Sequence, residues 1–157
     1  MNFSPYDILN SLVPGALFAV LASATTSPTF TIDDQLVALV VYFGYGTVIS
    51  RIGSVVVEPV ATVAKVIKYS DYSDLVAAEK VDQRISRLVE ISNMYRTLFA
   101  SFLICPAIVF IVPNGWGNQG YVRVSIAGCA ALFLLSWAKQ CNYIRKRVKA
   151  NMESRDA

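Results

Sequence analysis

Hydrophobic positions along this chain do not alternate with polar ones; they gather into four long runs, at about 8–24, 36–57, 96–112 and 122–138. A helix rises about 1.5 Å per residue and needs roughly 20 apolar residues to cross a bilayer, and each run is near that length. The pattern predicts an all-α membrane protein. It has four transmembrane helices and a cytoplasmic helical stem in a single membrane domain over 1–157, and is expected to form a symmetric homo-oligomer. Residues 58–95 read as a helical elbow and stem, and 139–157 as a basic cytoplasmic tail.

Local signals refine the runs. Ser4, Pro5 and Asp7 suit a helix start as cap, first-turn proline and dipole-matching acid. Pro14-Gly15 in mid-run predicts either a bland kink or a gate, and Asn10 and Ser11 need partners on neighbouring helices. In the second run Gly46, Ser50 and Ser54 recur every fourth residue with Gly53 beside them, a spacing that lets another helix pack closely. Arg51 and Glu58, seven residues apart, share one face near the cytoplasmic end. Either both reach into the headgroups, or with Ser50 and Ser54 they form a gate or ligand contact at the cytoplasmic mouth.

Pro59 is expected to break or bend the second helix after Glu58 and make the elbow. From Asp74, with Ser73 as its cap, a stem helix follows in which Ala78, Val81, Ile85, Leu88, Ser92 and Tyr95 keep a heptad seam. No proline or glycine interrupts it before the third run, so it reads as one helix rising into the membrane. Cys105-Pro106 permits a kink, and residues 113–120 form an external turn whose Trp116, with Tyr121, suits the aromatic belt. Ser125, Gly128 and Cys129 give the fourth run a small-residue face.

Charge sets the orientation. Only 16% of residues are charged, against about 25% in soluble domains, and of the fourteen Lys and Arg all but Arg123 fall on one side of the membrane. The positive-inside rule then puts both termini of a multi-pass membrane protein in the cytoplasm. The first run lacks a basic n-region and reads as a retained helix rather than a cleaved signal. Cys105, Cys129 and Cys141 fall in membrane or cytoplasm, so no disulfide is expected. With no His, no CxxC pair and no carboxylate cluster at ligand spacing, neither a metal site, a cofactor nor an acid–base catalyst is expected. Glu58, Asp7 and Cys105 are the only conceivable catalytic groups, and none has a partner fixed by spacing. The chain does not read as an enzyme.

The tail carries six basic and two acidic residues. One reading is attraction to anionic membrane lipid. The other is a basic vestibule in which Lys65, Lys68, Lys80, Arg84, Arg87, Arg145, Lys146, Arg147 and Lys149, repeated around an oligomer, hold a nucleotide or single-stranded oligonucleotide while Tyr69 and Tyr72 stack on its bases. A single bundle of this composition would be filled by apolar side chains, so conduction requires an axis between copies. Asp33 and Asp34 would ring the outer mouth of such an axis, or else cap the second helix.

Ser50-Arg51-Ile52-Gly53-Ser54 with Glu58-Pro59, then Asp71-Tyr72, Ala78-Glu79-Lys80 and Asn93-Met94-Tyr95-Arg96-Thr97, resembles a family of small uncharacterised bacterial inner-membrane proteins with four helices. The resemblance spans roughly residues 6–110. Proteins of this layout include channel-forming effectors of anti-phage systems such as Hailong, which disrupt the inner membrane when a partner enzyme's nucleotide signal changes. The resemblance implies an oligomeric channel or effector of bacterial defence, gated from the cytoplasm by a nucleotide ligand or a partner protein. The alternative is a non-conducting scaffold that recruits a cytoplasmic enzyme through its stem.

Overall fold

The structure, a computed structural model, describes residues 5–25, 30–111 and 120–156. Six α-helices account for most of them: α1 (Pro5–Thr25), α2 (Gln35–Ile52), α3 (Glu58–Val63), α4 (Tyr72–Val81), α5 (Arg84–Ile111) and α6 (Gly120–Asp156), with a π-helical turn, Gly53–Val57, joining α2 to α3. No strand occurs among the described residues. Three stretches among them are long and apolar enough to cross a membrane: Ile8–Thr25, Gln35–Val63 and Gly120–Glu153. The run at 96–112 forms the apolar end of α5, and its last residue, with the turn carrying Trp116, lies outside the described residues, as does Ser4.

The closest approach in the bundle is between α1 and α2. A Cβ added to Gly46 would lie 1.7 Å from the Ser11 carbonyl oxygen, and one added to Gly15 would lie 1.8 Å from that of Tyr42. The two backbones touch because neither glycine has a side chain, which is how the expected small-residue spacing is used. Gly53 meets α5 instead, with Ala100 and Arg96 at ordinary van der Waals distance from its missing Cβ. Phe18, Ile49, Phe99 and Trp137 fill the middle of the bundle, and Pro14 is fully buried within α1.

Pro59 does not turn the chain. It sits in the first turn of α3, and the preceding π-helical turn widens the backbone so that the Glu58 N–H bonds to the Gly53 carbonyl five residues back. Widening there relieves the clash a proline ring makes with the carbonyl four residues earlier. The reversal comes at Ala64–Lys65. The Val66 N–H bonds to the Ala61 oxygen and the Lys65 N–H to the Thr62 oxygen, both at 3.0 Å, which is the Schellman pattern of a helix end. Lys65 holds φ 59° there, the one positive φ among described non-glycine residues, in a conformation that costs about 1–2 kcal/mol for an L-residue.

The expected continuous stem is two helices. α4 begins at Tyr72, ahead of Ser73, and ends at Val81; Asp82 is extended and caps α5 through its carboxylate, which accepts the Arg84 N–H at 3.1 Å. Asp82 also receives Arg147 Nε at 2.6 Å, so the break is held by a residue of α6. The seam is satisfied within one copy: Ala78 and Ile85 are buried against Ile144 and Val148, with Leu88 beside them, while Val81 is exposed.

Overpacking of a backbone contact costs about 1–3 kcal/mol. Gly46→Ala should lower the free energy of unfolding in detergent by that much, and the midpoint with it, whereas Gly44→Ala, which enters open space, should lower neither. Equal midpoints for the two variants would refute the α1–α2 crossing.

Candidate functional site

At the basic end of the bundle the π-helical turn and α3 bring Glu58 against α5, where its carboxylate accepts a hydrogen bond from Arg96 Nη1. The arginine side chain is only 12% exposed, and its Nε has no acceptor among the described residues. A charge so far removed from water is stable only when paired, so the bridge clamps α3 onto α5. The stem of Arg96 passes Gly53 at ordinary van der Waals distance.

The bridge forms one wall of a cavity of about 320 Å³, lined also by Tyr69, Tyr72, Ser92, Asn93 and Cys141. Ser92 and Cys141 lie 3.3 Å apart at its base, joining α5 to α6. Burial of the Tyr69 hydroxyl, with Cys141 and Glu58 adding to the rise, pushes it well above its ordinary value, so the phenol stays protonated although the residue as a whole is 45% exposed. Tyr72 stands at the mouth, 80% exposed. The site therefore combines an ion pair, an unused guanidinium donor and two phenol rings.

The candidate residues do not form one vestibule. Glu58, Tyr69 and Tyr72 share the cavity; Lys65, Lys68 and Arg145 line a separate groove; Tyr69, Arg145 and Lys149 meet at a further pocket beside Asp71, Asp74 and Glu153; Arg84 and Arg87 lie in a shallow cleft with Gln83. Lys80 and Lys146 are exposed on α4 and α6, Lys149 faces Glu153 at 3.6 Å in a solvated pair, and Arg147 is committed to Asp82 and to the Tyr143 hydroxyl. Arg51 is exposed and does not meet Glu58; Ser54 donates to the Ser50 carbonyl at 3.0 Å. Asp34 caps α2, accepting the Leu36 and Val37 N–H groups at 2.9 and 3.2 Å, and Asp33 is exposed beside it.

Two residues outside the sequence-derived candidates matter here: Arg96 in the cavity and Lys139 in the groove. Arg96 has a legible signal, an arginine at the junction of a polar stem and an apolar run, but its partner lies 38 residues away.

Fold and site together define a helical membrane protein with an ion-paired cavity at one end of its bundle. Compared with protein-family models, curated proteins and solved structures, the chain matches none.

Arg96→Ala should destabilise the fold by about 1–3 kcal/mol, the cost of leaving a partly buried partner unsatisfied. A double-mutant cycle with Glu58→Gln should show coupling of about 0.5–3 kcal/mol; strict additivity would mean that the bridge contributes nothing.

The Asp82 carboxyl is held below its ordinary value of 3.8 by the hydrogen bond from Arg147, aided by the Arg84 N–H against the opposing effect of burial. A carboxyl whose pKa falls on folding adds stability above its unfolded value and loses it as pH drops through the lowered folded value. Fluorophores placed near Lys80 and Lys149 should therefore report a docked tail at neutral pH and down past the ordinary carboxylate range, with separation only below it. Asp82→Asn should shift the dye distance already at neutral pH, and an unchanged distance in that variant would count against the tether.

Proposed function

We propose that the chain is a homo-oligomeric channel or effector of the bacterial inner membrane, with four crossings, cytoplasmic termini, and a gate controlled from the cytoplasm. The observation that carries this reading is an outward stripe on α2. Gly44, Thr47 and Arg51 follow helical spacing and are all exposed, although they lie on a helix apolar enough to span a membrane. An exposed arginine about 24 Å along the helix needs water, headgroups or a second copy. Gathered around an axis, Thr47 and Arg51 would supply its polar groups beside the exposed Val40 and Val48, while the middle of each bundle stays filled by Phe18, Ile49 and Trp137. The small-residue face of α6, Ser125, Gly128 and Cys129, is also exposed and suits close packing between copies.

Gating follows from the cavity. An anionic ligand entering it competes with Glu58 for Arg96, and loss of the bridge frees α3 and the π-helical turn that continues into α2. Such a ligand shifts the gate only by as much as it prefers the unclamped state. Small-molecule sites run from about 300 to 1,000 Å³, so this cavity is sized for a mononucleotide, with Tyr69 and Tyr72 available for stacking, rather than for an oligonucleotide. Function in anti-phage defence, with a cognate cytoplasmic enzyme supplying the signal, accords with this arrangement. The scaffold reading is left with less surface, because the heptad seam is already covered by α6.

Purified protein in liposomes should pass ions in at least one ligand state when mononucleotides are supplied on either side. Arg51→Ala should alter conductance by about tenfold or more if the residue sits on the axis, in line with a charge contributing 1.4 kcal/mol or more. Flux at background in every ligand state would remove the channel reading.

A further inference from the structure

Where the linker between α3 and α4 crosses α6, four cations come together. Lys65, Lys68, Lys139 and Arg145 line a groove of about 490 Å³ that contains no carboxylate. Among the described residues none of the four stands in a salt bridge, in contrast to Arg96, Arg147 and Lys149. Arg145 spends one donor on Asn142 Oδ1 at 3.0 Å and also borders an adjoining pocket that holds Asp71, Asp74 and Glu153, forming a salt bridge with none of them. Like charges gathered in this way repel one another unless an anion neutralises them. The strained backbone at Lys65 is what turns the chain at the groove, and such strain persists where the surrounding structure demands it.

The other wall of the groove identifies the anion. Val66, Leu135 and Ala138 are apolar, Leu135 is 70% exposed, and the exposed Val63 precedes the turn at Lys65. The groove lies where α6 passes from its apolar run into its basic one, the level at which a membrane places its headgroups. It has no aromatic residue to stack on a base; Tyr69 and Tyr72 line the other cavity. We propose that the groove is a binding site for the phosphate of an anionic phospholipid, held by the four cations, with the first acyl carbons against Val66 and Leu135. The inference requires the chain to lie in a membrane and is independent of conduction.

The test is native mass spectrometry of the full-length protein in neutral detergent, titrated separately with phosphatidylglycerol, phosphatidylcholine and glycerol 3-phosphate. Phosphatidylglycerol should bind at one tight site per chain, and phosphatidylcholine and glycerol 3-phosphate at least about tenfold more weakly. Each Gln substitution among Lys65, Lys68, Lys139 and Arg145 should weaken lipid binding about fivefold, the loss of one cation near a charged surface. A fourfold variant at Lys80, Arg84, Lys146 and Lys149 should bind as the native chain does. Equal weakening in that variant would overturn the site in favour of diffuse attraction. Glycerol 3-phosphate binding as tightly as the lipid would overturn the lipid as its occupant. The single Lys139→Gln change, on an exposed face of a long helix, keeps the test decisive if the substitutions in the linker disturb the fold.

Discussion

A guanidinium withdrawn from water at the end of an apolar bundle must have a counter-charge, and the pairing of Arg96 with Glu58 governs much of what surrounds it. Glu58 reaches α5 because α2 does not stop at its polar end; the π-helical turn absorbs Pro59 and carries the helix one further step. Gly53 sits inside that turn and faces the stem of Arg96 at van der Waals distance. Tyr69 then closes over the pair from the linker, and the cavity beneath is what is left between a clamped α3 and the packed pair α5 and α6.

Two further contacts hold the elements that the bridge does not. Backbone contact at Gly15 and Gly46 locks α1 to α2 without any polar bond, through close approach alone. At the far end, Asp82 both caps α5 and holds Arg147, so the start of the long stem and the basic tail are fastened by a single carboxylate. The cations divide accordingly. Arg147 is used for docking, and Lys139 and Arg145, on the side facing the linker, line the groove.

The bundle class was legible because membrane-spanning helices announce themselves by length and apolarity, properties of a contiguous segment. The same holds for Gly46 within the small-residue stripe of α2 and for the Asp34 cap, both local signals that the structure uses. Prolines and seams were less reliable guides. Pro59 reads as a break, but a widened turn upstream tolerates it; the heptad pattern reads as a continuous stem, but Asp82 interrupts it with the capping chemistry that aspartate also supports. Each of those positions carries two compatible local meanings, and only packing chooses between them.

The candidate site shows the same division more sharply. Its residue types stand in the chain: an acid before Pro59, tyrosines in the linker, basic residues along the tail. Segment length, the hydropathy runs and the asymmetry of charge follow from covalent order, so they could be read directly. Which acid meets which base depends on helices folding back beside one another, and Glu58 passes over Arg51 on its own helical face for Arg96 on α5, as Asp82 reaches Arg147 on α6. Electrostatic pairing depends on distance in space, and that distance comes into being only when the helices pack.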